Sequence, residues 1–112
     1  HGKQVVLHSD GYILDIIPDL IEIDIDALNA QIFCMGVETL AERFRGQICF
    51  WGEIDRQYLL TQGSVEEVRA AVRRVAQAFM PERKTGVVGQ CFEGKGHKPE
   101  NMDAVYDEWS RI

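Results

Sequence analysis

Two residues near the start of the chain, His8 and Asp10, have types and a spacing that suit chemistry. Residues two apart on a strand face the same side, so the pair fits two metal ligands or an imidazole held by a carboxylate. A hydrogen bond that only stabilises a strand end fits equally. Cys91 is a candidate thiolate ligand, although a free cysteine also serves as a small core residue. Glu53 and Asp55 repeat the two-residue spacing, which suits general acid or base work or substrate binding. Asp55 is as well placed to cap a helix. Asn29, Trp51 and Gln90 are candidate substrate contacts, with Trp51 either flooring a pocket or packing in the core.

Other polar features carry less. Gly94-Lys95-Gly96-His97 lacks the Lys-Ser/Thr ending of a phosphate loop and the glycine spacing of a dinucleotide site. Arg69, Arg73 and Arg74 read as a solvated face salt-bridged to Glu66 and Glu67 one turn away. Glu22, Asp24 and Asp26 read as a helix-to-strand connection. Cys49 is expected in the core, and Cys34 in a loop or the core.

These residues need elements to hold them, and the pattern supplies strands alternating with helices. Gln4–Ser9 is a short β-branched run stopped by the Asp10-Gly11 turn signal. Ile13, Ile16, Ile17, Leu20 and Ile21 follow at helical spacing, with Pro18 predicting a kink or a fresh helix start. Asp26–Asn29 is a second strand. Val37, Leu40, Ala41 and Phe44 form one helical face, with Gly46 placed to cap it. Gln47–Gly52 is a third strand. Ser64 and Glu67 make a capping box before the stripe Val65, Val68, Val72, Val75, Ala76 and Phe79, which Pro81 closes. Gly86–Cys91 is the last strand. Pro99 opens a final helix whose expected buried face is Met102, Val105, Tyr106 and Trp109.

Four βα units with no hairpin between strands imply α/β architecture, a parallel sheet and right-handed crossovers. Strands this apolar are expected to be covered on both faces. Two arrangements fit: a doubly wound sheet, or half of a (β/α)8 TIM barrel, whose complete form takes about 250 residues. In either, the strand C-termini are where ligands bind. His8-Ser9-Asp10, Asn29, Glu53 and Asp55, and Gln90-Cys91 all stand at those ends.

Composition narrows the partners. The 112 residues are 46% hydrophobic and 27% charged, which suits one folded domain over residues 1–112. No run approaches the roughly 18 apolar residues that a membrane helix takes. Eighteen acids against twelve bases give a net charge of −6, with the bases scattered, which argues against nucleic acid and anionic lipid. Three widely spaced cysteines suggest no disulfide framework and a reducing, cytoplasmic setting. The start at His1 reads as part of something longer.

Taken in order, several segments resemble signatures of the uroporphyrinogen decarboxylase superfamily. They are His8-Ser9-Asp10-Gly11, Ile17-Pro18-Asp19-Leu20-Ile21-Glu22, Asp26-Ala27-Leu28-Asn29, Phe50-Trp51-Gly52-Glu53-Ile54-Asp55, Gly63–Val68 and Lys98-Pro99-Glu100-Asn101-Met102. The ordered set covers nearly the whole chain and is similar to the C-terminal part of those (β/α)8 barrels. The resemblance implies four consecutive βα units forming the C-terminal half of a barrel. An isolated half leaves two unpaired parallel edges, so a homodimer completing the barrel, or dependence on further chain, is expected.

Two chemistries follow from the resemblance. The decarboxylases remove carboxylates from the acetate side chains of uroporphyrinogen in tetrapyrrole (haem) synthesis, without metal or cofactor. The related methylcobamide:coenzyme M methyltransferases hold zinc through a His-x-Cys pair and a later Cys, and the zinc keeps a thiol acceptor deprotonated. Here His8 matches the His, Asp10 stands in place of the first Cys, and Cys91 lies where the later Cys is expected. The decarboxylases carry Gly-His-Gly where this chain has Gln90-Cys91-Phe92. Cys91 therefore favours zinc-dependent methyl transfer, with His8, Asp10 and Cys91 as zinc ligands and Glu53 and Asp10 as catalytic groups. A corrinoid would be co-substrate, supplied by a corrinoid protein. Decarboxylation is the alternative, and a non-catalytic tetrapyrrole-binding or half-barrel piece is the second.

Overall fold

The computed structural model describes residues 2–82 and 86–112. Four short strands, β1 (Val6–Ser9), β2 (Ala27–Ala30), β3 (Cys49–Glu53) and β4 (Val87–Gln90), pair in parallel in the order β1-β2-β3-β4. Their register aligns His8 with Asn29, Asn29 with Trp51, and Trp51 with Val88.

Between β1 and β2 the chain makes a 3-10 turn at Leu14–Ile16 and then α1 (Ile17–Glu22), with Pro18 in its first turn. Pro18 marks a fresh helix start, because a first-turn residue needs no helical N–H partner. Two helices, α2 (Ile32–Met35) and α3 (Val37–Phe44), lie between β2 and β3. Gly36 separates them at φ 93°, a left-handed conformation that glycine adopts without a Cβ penalty. The sequence pattern shows α3 but not α2, since four residues are too few to display a period.

The connection from β3 to β4 holds α4 (Leu59–Gln62) and α5 (Val65–Phe79). Ser64 and Glu67 form the expected capping box. Val68, Ala71, Val72, Val75, Ala76 and Phe79 are buried, and the Phe79 ring packs on Phe50 of β3 at 5.0 Å between centroids. The last helix, α6 (Pro99–Arg111), begins at Pro99 as predicted.

Its buried face differs from the expected one. Asn101, Ala104, Val105 and Glu108 are inside, while Tyr106 is exposed. Polar anchors rotate the helix: Asn101 Nδ2 donates to the carbonyls of Leu59 and Gly63, at 3.2 and 2.9 Å, and Glu108 accepts from Arg69 and Arg73, at 3.0 and 2.8 Å. The arginines of α5 thus find partners across the structure rather than one turn away. Arg69 also meets Asp107 of α6, and Arg74 meets Glu38 of α3.

The two faces of the sheet are unlike. Leu28, Phe50, Ala30 and Gly52 face the helices, and a Cβ on Gly52 or Gly89 would strike Ile32 of α2 or Trp109 of α6. On the other face Val6, Trp51 and Val88 remain 53%, 38% and 43% exposed, with Trp51 and Val88 in one row with His8 and Asn29. The expectation of cover on both faces is not met. Strand order explains this, because each strand is added on the same side of the last. Right-handed crossovers running in one direction leave their helices on one face only. No helix among the described residues is long and apolar enough to cross a membrane.

Candidate functional site

The open face gathers most of the sequence-predicted site residues at the strand C-termini. His8 leaves β1 on this face, and Asp10, two residues on, keeps it; His8 Nε2 and Asp10 Oδ1 lie 3.7 Å apart. Asn29 stands beside His8 on β2. Its Oδ1 is 2.5 Å from His8 Nδ1, and its Nδ2 donates to the Trp51 carbonyl at 2.9 Å and to Gln90 Oε1 at 2.7 Å. One amide therefore spans the sheet from β1 to β4.

A second chain of contacts runs along the rim. Glu53 closes β3 with its side chain inside, at 7% exposure. Burial pushes its carboxyl above the usual range, the Arg56 guanidinium opposes this, and the Asp10 charge adds to the rise. Arg56 places Nε 3.2 Å from Glu53 Oε1 and Nη2 2.7 Å from Asp10 Oδ1. Its guanidinium lies over the Phe92 ring at 4.6 Å. His97 fastens the assembly, with Nδ1 2.8 Å from the Phe92 carbonyl and Nε2 3.0 Å from that of Arg56. The loops after β3 and β4 are thereby joined.

The sequence does not single out Arg56, Phe92 or His97 as site residues. Arg56 had a readable signal, since a base three residues after one rim carboxylate and next to another can neutralise both. Phe92 and His97 gave none, because their contacts cross 36 and 41 positions of sequence respectively to reach Arg56.

Asp55 takes the capping role. Its Oδ1 accepts from the backbone N–H groups of Gln57 and Tyr58, at 3.0 and 3.2 Å, and so turns the chain toward α4. Trp51 lies on the open face and lends its carbonyl to Asn29. Cys49 is half-buried and Cys34 exposed on α2.

Cys91 is not brought to His8 and Asp10. It packs against the helix-side core, and burial, with the Glu93 and Glu53 charges, pushes its thiol up to about 11. The reason is alternation: Gln90 faces the site, so its neighbour turns away. Among the described residues no group of three His, Cys, Asp or Glu side chains is placed to hold a metal ion. The expected zinc set does not fit this arrangement, with Asp10 engaged by Arg56 and His8 Nδ1 by Asn29.

A groove of about 480 Å³ opens at the other end of the strands, beside Asp26, Gln47 and Ile48. Of the sequence-predicted site residues it contains none.

No family model, curated protein or solved structure matches the chain.

What the site offers is acid–base chemistry. It holds one buried carboxyl raised toward keeping its proton, an imidazole beside a carboxylate, and a guanidinium fixing the two acids relative to each other.

Proposed function

We propose that this chain forms four consecutive βα units, the C-terminal half, of a (β/α)8 barrel enzyme of the uroporphyrinogen decarboxylase superfamily. Its rim performs metal-free proton transfer on a carboxylate-bearing small molecule, in the manner of the superfamily's decarboxylation of a tetrapyrrole. The observation that carries the reading is the continuous chain His8–Asp10–Arg56–Glu53 at the C-terminal ends of β1 and β3. The one-way strand order and the helix-free sheet face support the barrel, because a barrel interior needs one such face.

Decarboxylation breaks a carbon–carboxylate bond, leaves the electron pair on carbon, and puts a proton where CO₂ was. Glu53 is the buried acid suited to hold that proton, and His8 beside Asp10 exchanges protons with the substrate. Trp51 and Gln90 line the substrate's side of the sheet. Cover for the open face comes from the other barrel half, supplied by further chain or by a second copy.

A second reading, zinc-dependent methyl transfer from a corrinoid, is favoured by the closeness of His8 Nε2 and Asp10 Oδ1. It ranks lower because Cys91 would have to leave the core and lose its proton.

The test is incubation of the complete barrel with uroporphyrinogen, followed by mass spectrometry of the porphyrins. Stepwise loss of CO₂, abolished in Glu53→Gln and His8→Gln, supports decarboxylation. An unchanged substrate, together with methyl transfer from a methylcorrinoid to a thiol, overturns it.

A further inference from the structure

The contacts of Asn29 fix more than its own position. The Trp51 carbonyl can only accept, so the Asn29 atom 2.9 Å from it is the amide nitrogen. The second hydrogen of that nitrogen goes to Gln90 Oε1 at 2.7 Å. Asn29 Oδ1 is then the atom facing His8 Nδ1 at 2.5 Å. An amide oxygen carries no hydrogen, so the hydrogen in this contact belongs to Nδ1. A neutral imidazole has one N–H; with it on Nδ1, the lone pair is on Nε2, which faces Asp10 Oδ1.

We propose that Asn29 is a positioning residue that holds neutral His8 in its Nδ1–H tautomer and so makes Nε2 the proton-accepting atom of the site. In the step, an O–H or N–H bond of the substrate breaks, its electron pair stays on the oxygen or nitrogen, and the proton binds Nε2, while the carbon that loses CO₂ takes its proton from the Glu53 carboxyl. The resulting imidazolium lies between Asn29 Oδ1 and the Asp10 carboxylate. Gln90, whose Oε1 is taken by Asn29, has its amide hydrogens left for a substrate carbonyl or carboxylate oxygen. Asn29, expected as a substrate contact, instead acts through its neighbours. The substrate step rests on the acid–base reading above; the tautomer does not.

The test is long-range ¹H–¹⁵N correlation NMR of the imidazole rings of the full protein at alkaline pH. His8→Gln identifies the His8 signals among the three histidines. The Nδ1–H pattern is expected for His8 in the wild type and in Gln90→Ala, where the Trp51 carbonyl still orients Asn29. Asn29→Ala should lose that pattern and show the Nε2–H form or a mixture. An Nε2–H pattern in the wild type overturns the proposal without recourse to any variant, and so does an unchanged tautomer in a folded Asn29→Ala. Failure to decarboxylate with the Nδ1–H form intact would count against the proposed function alone.

Discussion

Arg56 donates through Nη2 to the Asp10 carboxylate at 2.7 Å, so one guanidinium joins the loop after β3 to the end of β1. The same group lies 3.2 Å from buried Glu53. Two acids, Glu53 at the end of β3 and Asp10 just after β1, thus share a single cation, and the Asp10 charge adds to the rise of the Glu53 carboxyl.

Glu53 gives the first prediction. Its carboxyl is raised chiefly by burial, so the folded chain holds that proton more tightly than the unfolded chain. The stability this contributes is present at low pH and is lost as pH rises from the ordinary glutamate range through the raised folded value. Glu53→Gln is neutral throughout, so it should flatten this part of the profile and melt higher than wild type near neutral pH. Thermal melts between about pH 4 and about pH 8 check this; a wild-type slope in the variant would rule out burial as the cause.

Gly89 sets how closely α6 approaches the sheet. A Cβ there would lie 2.6 Å from Trp109 Cε2 and 2.7 Å from Cδ2. Gly89→Ala should therefore destabilise the fold by about 1–3 kcal/mol, the usual cost of overpacking. It should also shift Trp109 emission, read in a Trp51→Phe background. Wild-type stability and emission together would mean that α6 sits less tightly than described.

Asn101 ties α6 to the end of α4. Its amide is fully buried and supplies the carbonyls of Leu59 and Gly63. Asn101→Ala leaves these acceptors without their donor, and urea unfolding should register a loss of about 1–3 kcal/mol. A loss of only a few tenths would show that solvent replaces the amide at no cost.

The thiols should differ in reactivity. Cys91 is half-buried with its thiol pushed up to about 11, while Cys34 is exposed, although its thiol too is raised by burial. The thiolate is the reacting form, so peptide mapping after mild alkylation near neutral pH should find Cys34 modified first. Earlier modification of Cys91 would mean that it reaches solvent.

Much of the fold is legible in the residues because the signals are local. The Ser64–Glu67 box, Pro99 at a helix start and the spacing of His8 and Asp10 depend only on neighbours within a turn or a pleat. Apolar spacing alone misplaces the buried face of α6, because it takes no account of a buried Asn101 or Glu108. These residues find partners around α4 and on α5: Asn101 Nδ2 donates to the Leu59 and Gly63 carbonyls and Glu108 accepts from Arg69 and Arg73. Arg56 is half legible: its pairing with Glu53 is local, whereas its contact with Asp10 spans 46 positions of sequence. Cys91 could have been set aside from the sequence, since Gln90 and Cys91 are adjacent and only one of two adjacent strand residues faces the site.

Zinc content, measured by mass spectrometry on the full-length protein purified without a His tag, bears most directly on the central claim of metal-free chemistry at the rim. Zinc far below stoichiometric, unchanged by Cys91→Ala and not restored by reconstitution, is the expected result. Stoichiometric zinc that disappears in Cys91→Ala would contradict it and return the site to thiol activation.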